Sequence, residues 1–263
     1  MFKWKLQKRF VADSRMAVFR NLFLGKRCFI LGNGPSLTLE DIERLRWEYT
    51  FASNKIYLCF SQTSWRPSFY MVEDLLVLKQ NVEKLENLTG TTCFYPHFFK
   101  KTLGESYNRI YFRALPAQYA ESPLRDPGFP CFSNDALQGI FWGSTVIYSQ
   151  IQLAVFMGFR EIYLLGVDHR YILPQKKIEN YYIAEGEKNH FHPDYRNPGE
   201  KWYQPQLDVM ERSYAHALVA CRQLGVKLGN ASRQTCLEII PRIPLEKALL
   251  PPERRNLSTN HNF

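Results

Sequence analysis

Two stretches of the chain carry residue types that could do chemistry together. One is Gly32-Asn-Gly-Pro-Ser36, where the apolar run Arg27-Cys-Phe-Ile-Leu31 stops and an amphipathic pattern begins. The other starts at Asp168, Arg170 and Tyr171 and continues to Asn189-His-Phe-His192. Gly32 and Gly34 permit positive φ and a close approach of ligand to backbone. Free amides at a helix start suit an anion such as a nucleotide phosphate. A neutral imidazole near its ordinary pKa of about 6.5 can take a proton from an acceptor hydroxyl. Arg170, Lys176 and Lys177 supply positive charge for a departing phosphate. Each feature has a plainer alternative. The turn lacks the third glycine of GxGxxG and the lysine of a P-loop, so it also reads as a tight connection with no ligand. His190 and His192 also read as an exposed loop pair. With Asp168 and His169 they could form a metal site, but His-x-His alone is unspecific. No tightly bound metal or cofactor is expected; Mg2+ carried with a nucleotide would look to Glu73, Asp74 and Asp168.

These residues need elements to bring them together. Thr38 is a candidate N-cap, with Asp41 at the third helical position. The helix it opens sets Leu39, Ile42 and Leu45 on one face and Glu40, Asp41, Glu43 and Arg44 on the other. Residues 50–54 read as a second strand that delivers Asn54 to the same sheet edge as Asn33. Residues 67–72 form a third strand ending at Glu73 and Asp74, before a helix with Leu75, Leu76 and Leu78. Residues 92–95 make another short strand. Residues 100–142, punctuated by Pro116, Pro123, Pro127, Gly128 and Pro130, read as a lid-like insertion. Gly143, Ser144 and Thr145 start a second crevice-facing helix, which carries Val146, Ile147, Ile151, Val155 and Phe156 and stops at Gly158. Residues 161–166 form a buried strand ending in Asp168 and His169. Residues 172–205 show no period and read as a functional loop. A helix with Met210, Tyr214, Ala217, Leu218 and Cys221 follows, and residues 226–230 close the sheet. Strand–helix units with polar strand ends predict an α/β, Rossmann-like, doubly wound, mostly parallel sheet with a lid-like loop region. Asn33, Asn54, Asp168, both glycine turns and the 189–192 loop should then meet in one crevice.

The chain has 263 residues, 45% hydrophobic and 15% aromatic, with a formal charge of +9. That composition is globular, and its basic balance suits anionic partners such as nucleotide-sugars, acidic glycans or lipid headgroups. No nucleic-acid motif is present. Three parts are expected: a basic, aromatic N-terminal segment over 1–26, the main domain over 27–250, and a disordered tail over 251–263. The N-terminal segment reads as a leading helix packed on the domain and needed for folding, or else as a membrane-surface or partner-docking helix. Six cysteines without CxxC read as reduced and buried. No apolar run has the length of a membrane span, and no signal-peptide core is visible. The expected location is the cytoplasm, with peripheral contact at the inner face of the membrane as a further option.

Phe29-Ile-Leu-Gly-Asn-Gly-Pro-Ser-Leu37 resembles the opening motif of the 6-hydroxymethylpterin diphosphokinase MptE-like domain family. Gly143-Ser-Thr145, Leu153-Ala154, Met157-Gly-Phe159, Ile162 to His169 and Asn189-His-Phe191 resemble its later blocks. The layout is also similar to the bacterial sialyltransferases of glycosyltransferase family 42. The resemblance spans about residues 27–230. It implies a glycosyltransferase that moves a sugar from a nucleotide-sugar to a cell-surface glycan, lipid or protein; pyrophosphate transfer from ATP and a non-catalytic nucleotide-binding module are the alternatives. It implies that Gly32, Asn33, Gly34, Pro35 and Ser36 meet the nucleotide phosphate and sugar and that Asn54 contacts the donor. Ser144 and Thr145 would meet the nucleobase or transferred group, with Glu73 and Asp168 nearby. It implies a histidine base, His190 or His192, with Tyr171 or Arg170 steadying the phosphate. Glu73 stands where the sialyltransferases have Asn, and their Arg before the Thr-Ser-Gly turn is replaced by Gly139-Ile-Phe-Trp142. Both departures point away from sialic acid.

Overall fold

A computed structural model of the protein describes residues 13–115, 130–179 and 181–251. The first half of the domain alternates strand and helix. It runs through β1 (Arg27–Leu31), α1 (Leu39–Arg44), β2 (Tyr49–Ser53), β3 (Phe69–Met71), α2 (Leu75–Gln80), α3 (Val82–Glu86), β4 (Thr92–Pro96), α4 (Lys100–Leu103) and β5 (Arg109–Phe112). The pair β6 (Ala114–Leu115) and β7 (Ile140–Phe141) precedes α5 (Val146–Phe156) and β8 (Glu161–Leu165). Next come β9 (Lys177–Ile178), β10 (Tyr181–Ile183), β11 (Lys201–Tyr203), α6 (Leu207–Gln223), β12 (Lys227–Asn230) and α7 (Leu245–Leu249).

Seven strands form one sheet in the order β12-β8-β1-β2-β3-β4-β5. Every pairing in it is parallel. The chain therefore runs outward from β1 to β5, then returns to place β8 on the other side of β1. Such a reversal opens a crevice beyond the carboxyl ends of β1 and β8, where ligands of open α/β sheets bind.

The strands are apolar on both faces because helices cover both. Cys28 and Ile30 of β1 and Ile162 and Leu164 of β8 face the layer of α5 and α6, with Ile151, Leu153, Met210 and Ala217. Phe29, Leu31, Tyr163 and Leu165 face the other layer, with Ile42, Leu78, Leu85 and Ala248. The side-chain period of two divides one strand between two cores.

The 13–25 stretch packs into the first of these layers. Met16 is buried, Phe23 stacks on Phe159 at 5.0 Å, and Phe19 meets Phe94 edge-on at 5.3 Å. Its regular part, Ser14–Phe19, is a short 3-10 helix. Residues 1–12 of the expected segment, residues 116–129 of the expected lid, and the tail from 252 lie outside the described residues.

Several expectations need correction. The 100–142 stretch is no simple insertion, because Arg109–Phe112 forms the edge strand β5, paired with β4 from Cys93↔Arg109 to Pro96↔Phe112. The 172–205 loop contains the antiparallel sheet β11-β10-β9, whose core is Tyr182, Ala184 and Trp202. Asp41 does reciprocate the Thr38 cap, but it leaves the polar face: it is fully buried under Arg233, at 2.7 and 3.0 Å. Cys131 and Cys236 are exposed, whereas Cys28, Cys59, Cys93 and Cys221 are buried; all six are free. No helix among the described residues is long and apolar enough to cross a membrane.

Candidate active site

A crevice of about 120 Å3 opens over the carboxyl ends of β1, β2 and β8. Gly32, Asn33, Gly34, Asn54, Thr145, Asp168, Arg170, Tyr171 and His190 line it, as do His169, Asn189 and Tyr195. Pro35, Ser36, Glu73, Ser144 and His192 are not among its lining residues.

The turn after β1 is built as a clasp. Gly34 N donates to Gly166 O at 2.9 Å, and Gly32 N to Leu165 O at 2.8 Å. Ser36 N donates to Asp168 Oδ2 at 2.8 Å, and Ser36 Oγ to Asp168 Oδ1. The amides expected to await a phosphate thus already hold a carboxylate and a carbonyl of the same chain. Neither Gly32 nor Gly34 has positive φ. Their glycine identity follows from the approach of the β8 turn: a Cβ on Gly34 would sit 2.6 Å from Asp168 Cγ and 2.7 Å from Gly166 O, and one on Gly32 would overlap Gly166 O. The close approach is chain against chain. With six residues, α1 is also too short for much of a dipole.

Other groups on the rim are not satisfied internally. Asn33 Nδ2 reaches Ser53 O and Oγ, both at 3.3 Å, while its buried Oδ1 has no partner. The buried Nδ1 of His169 also lacks one; its Nε2 lies 3.3 Å from Glu211. Asn54, Ser144 and His169 have φ of 51°, 59° and 52° and follow or precede these strand and helix ends. Backbone held in this region costs free energy and gathers at functional sites. Thr145 N-caps α5 through Ile147 N, and the first turn of that eleven-residue helix borders the crevice. Ser144 instead pairs with Gln206 at 3.1 Å.

The two histidines part company. His190 is held between two anchors. Asn189 bonds the backbone of Ile172 in both directions at 2.7 Å, and Phe191 N donates to Asn33 O at 3.0 Å. The imidazole stacks on Tyr195 at 3.7 Å. Burial first, then the charges of Arg196 and Lys55, push its pKa down to about 2. It is neutral, as a base must be, but weak in this state. His192 points elsewhere: its Nδ1 accepts from Asp194 N at 3.2 Å and caps the Pro193–Tyr195 turn.

Glu73, at the end of β3, is pushed up to about 8 by burial, so it is a neutral acid at pH 7. Asp74 caps α2. Asp168 is engaged by Ser36, and among the described residues no group of three or more His, Cys, Asp or Glu is placed to hold a metal ion. Arg170 is exposed at the rim, and burial pushes the Tyr171 phenol upward. Tyr195 lines the crevice and was not legible as a site residue, since it carries no motif; Lys55 and Arg196 do not line it, but their charges act on His190. The one signal for Lys55 was its position beside Asn54.

The sequence profile of the 6-hydroxymethylpterin diphosphokinase MptE-like family matches residues 5–173. A search of curated proteins found no match. Among solved structures, the chain is similar to the MAf glycosyltransferase of Magnetospirillum magneticum AMB-1, with a TM-score of 0.53 and 16% identity. That match covers 92% of this chain and 40% of the other, so the chain spans well under half the length of that protein. It is also similar to the sialyltransferase CstII of Campylobacter jejuni solved with cytidine-5'-monophosphate, at 16% identity and a TM-score of 0.47, covering 84% and 86% of the two chains. In its complex with CMP-3FNeuAc the figures are 15%, 0.42, 83% and 86%.

Proposed function

The chain belongs to the 6-hydroxymethylpterin diphosphokinase MptE-like family, and from that premise we propose that it is a glycosyltransferase taking a sugar from a nucleotide-sugar to a glycan, lipid or protein acceptor. The observation that carries the reading is the crevice at the β1–β8 reversal, where a neutral imidazole, an unpartnered Asn33 Oδ1 and the start of α5 face one space. The description of the Magnetospirillum structure of the same fold as a glycosyltransferase accords with it.

In the proposed reaction the acceptor hydroxyl oxygen bonds to the anomeric carbon as the bond from that carbon to the donor phosphate breaks. The hydroxyl proton passes to His190, and the electron pair leaves with the phosphate. Arg170 and Tyr171 stand at the rim to meet that charge. Bound donor would bring negative charge beside Arg196 and Lys55 and so oppose the two cations that depress His190. Its pKa would rise toward the range in which a general base is effective. His192, as the cap of the neighbouring turn, has no part in this step.

Family membership favours one second reading, pyrophosphate transfer from ATP. A thermal-shift panel of CMP-, UDP- and GDP-sugars against ATP with Mg2+ separates the two, since a true ligand raises Tm with its concentration. Turnover is then measured with the ligand that binds. Replacing His190 by Ala should lower acceptor-dependent turnover about a hundredfold or more, with donor affinity little changed. Parental turnover in that variant would remove the base, and stabilisation by ATP alone would remove the glycosyltransferase reading.

A further inference from the structure

His169 lines the crevice and has no part in the step assigned to His190. Its side chain is only 3% exposed. Nε2 lies 3.3 Å from Glu211 Oε1, while the buried Nδ1 has no hydrogen-bond partner among the described residues. A carboxylate can only accept, so in the neutral ring the hydrogen sits on Nε2 and Nδ1 is a bare acceptor. The two nitrogens point away from each other across the ring. Glu211, on α6, is 60% exposed, so the ring turns Nε2 toward solvent and Nδ1 inward. Met210 and Tyr214 of the same helix line the crevice, and the Tyr214 ring meets the imidazole edge-on at 5.8 Å. The imidazole is therefore part of the wall where α6 meets the turn after β8.

The backbone that carries this ring is pinned from two sides. Val167 N donates to Ser232 Oγ at 2.9 Å, Thr235 Oγ1 to Val167 O at 2.7 Å, and Cys236 N to Asp168 O at 2.8 Å. Ser36 holds the Asp168 side chain from the β1 turn. The 232–236 segment thus fixes the chain just before His169, Glu211 fixes the ring, and one acceptor is left over. Across the β1–β8 reversal Asn33 repeats the arrangement: Nδ2 is tied to Ser53, and the buried Oδ1 is open. An acceptor buried without a donor costs free energy. An ionised phosphate, itself an acceptor, satisfies neither group; a hydroxyl does.

We infer that His169 Nδ1 accepts a hydrogen bond from a non-reacting hydroxyl of the bound donor, and that Glu211 is the positioning residue that keeps this nitrogen bare. The inference rests on the nucleotide-sugar reading and deepens it: His190 takes the proton of the acceptor substrate, and His169 reads the donor. The hydroxyl comes from the ribose or from the transferred sugar, and its chemistry is the same in both. A site built around a buried acceptor discriminates against a ligand that lacks the hydroxyl, because the acceptor is then left unpaired. His169 is accordingly a specificity-determining residue, and a deoxy analogue of the donor removes what it recognises.

The test is calorimetric titration of the full chain with CMP, UMP, GMP and AMP, then with the 2'-deoxy and 3'-deoxy forms of the one that binds, its sugar nucleotides and their deoxy-sugar analogues. For a ribose hydroxyl, one deoxy form should bind the parent about tenfold more weakly. His169→Leu should bind the ribonucleotide equally weakly, with no further loss on that deoxy form. For a sugar hydroxyl, His169→Leu should bind the monophosphate as the parent does and the sugar nucleotide about tenfold more weakly. His169→Asn tolerates the φ of 52° and keeps an acceptor, so it should recover part of the loss. Glu211→Ala, which frees the tautomer, should show a smaller loss of the same selectivity. Parental affinity of His169→Leu for both ligands overturns the inference. So does a loss of the same size for the ribonucleotide, both deoxy forms and the sugar nucleotide, which marks a structural histidine. Should His169→Leu not fold, the parent alone decides: equal affinity for every deoxy analogue, of ribose or of sugar, overturns the inference too. If the parent binds no nucleotide, the donor reading fails by itself, and free D-ribose and hexoses decide the residue. A sugar-dependent rise in Tm that His169→Asn keeps and His169→Leu lacks would retain a hydroxyl site at His169; no rise in the parent would end it.

Discussion

The two rims of the crevice are built on opposite principles. The turn after β1 is closed on itself: Gly34 N, Ser36 N and Ser36 Oγ are all taken by Gly166 and Asp168. The loop from Asn189 to Arg196 is anchored through Asn189 and Phe191 and sets the imidazole of His190 on the crevice. Both rims are ordered by hydrogen bonds, but the backbone amides of the first are taken by the chain itself, so what faces a ligand there is the side chain of Asn33. A glycine-rich turn at a strand end is therefore not by itself an anion site. What matters is whether its amides point at solvent or at a neighbouring carboxylate.

Breaking the clasp should have the largest effect. In Gly34→Ala the new methyl meets Gly166 O and Asp168 Cγ, neither of which can retreat without moving β8's end. A loss of about 3 kcal/mol is expected, read as a lower urea midpoint with unchanged slope. Parental stability would mean that the turn yields, and the contrast between the rims would lose its structural half.

Asn33 is the one side chain of the first turn with an unused acceptor facing the crevice. Asn33→Ala should leave the fold intact and weaken nucleotide binding about tenfold, equivalent to about 1.4 kcal/mol. Equal affinity in variant and parent would assign the whole of ligand recognition to the second rim.

The smallest effect is a matter of pH. His190 is held far below its ordinary pKa, by burial and then by Arg196 and Lys55. The unfolded chain takes up its proton from about pH 6.5 downward while the folded chain does not, so the stability it contributes is complete above that pH. It is lost as pH falls toward 2. The parent should lose about 1 kcal/mol from this group between pH 6.5 and 5.5. His190→Phe, which keeps a ring against Tyr195, should flatten that stretch of the stability curve. The same acid slope in both proteins would show that the loop tolerates further positive charge.

The chain's own pattern determined the architecture. Apolar runs ending in Gly32, Ser53 and Gly166, the first followed directly by helix-forming sequence, predict parallel strands with polar carboxyl ends. Period and turn chemistry are local properties that a sequence displays directly. The same pattern brought Asn33, Asn54, Asp168 and His190 to one edge, where the structure has them lining a single crevice. It did not mark β5 or the β9–β11 sheet, whose short strands are specified by partners distant in the chain, such as Tyr182 against Trp202. Nor did it assign tasks within the site. Gly34 reads identically whether a phosphate or Asp168 lies against it, and His192 reads like His190. The outcome depends on which groups satisfy one another across the β1–β8 reversal and within the 189–196 turn. Hydrogen-bond pairing, burial and charge proximity are properties of three-dimensional neighbourhoods, so only the tertiary structure could decide that the glycine turn clasps Asp168 and that His192 caps a turn while His190 lines the crevice.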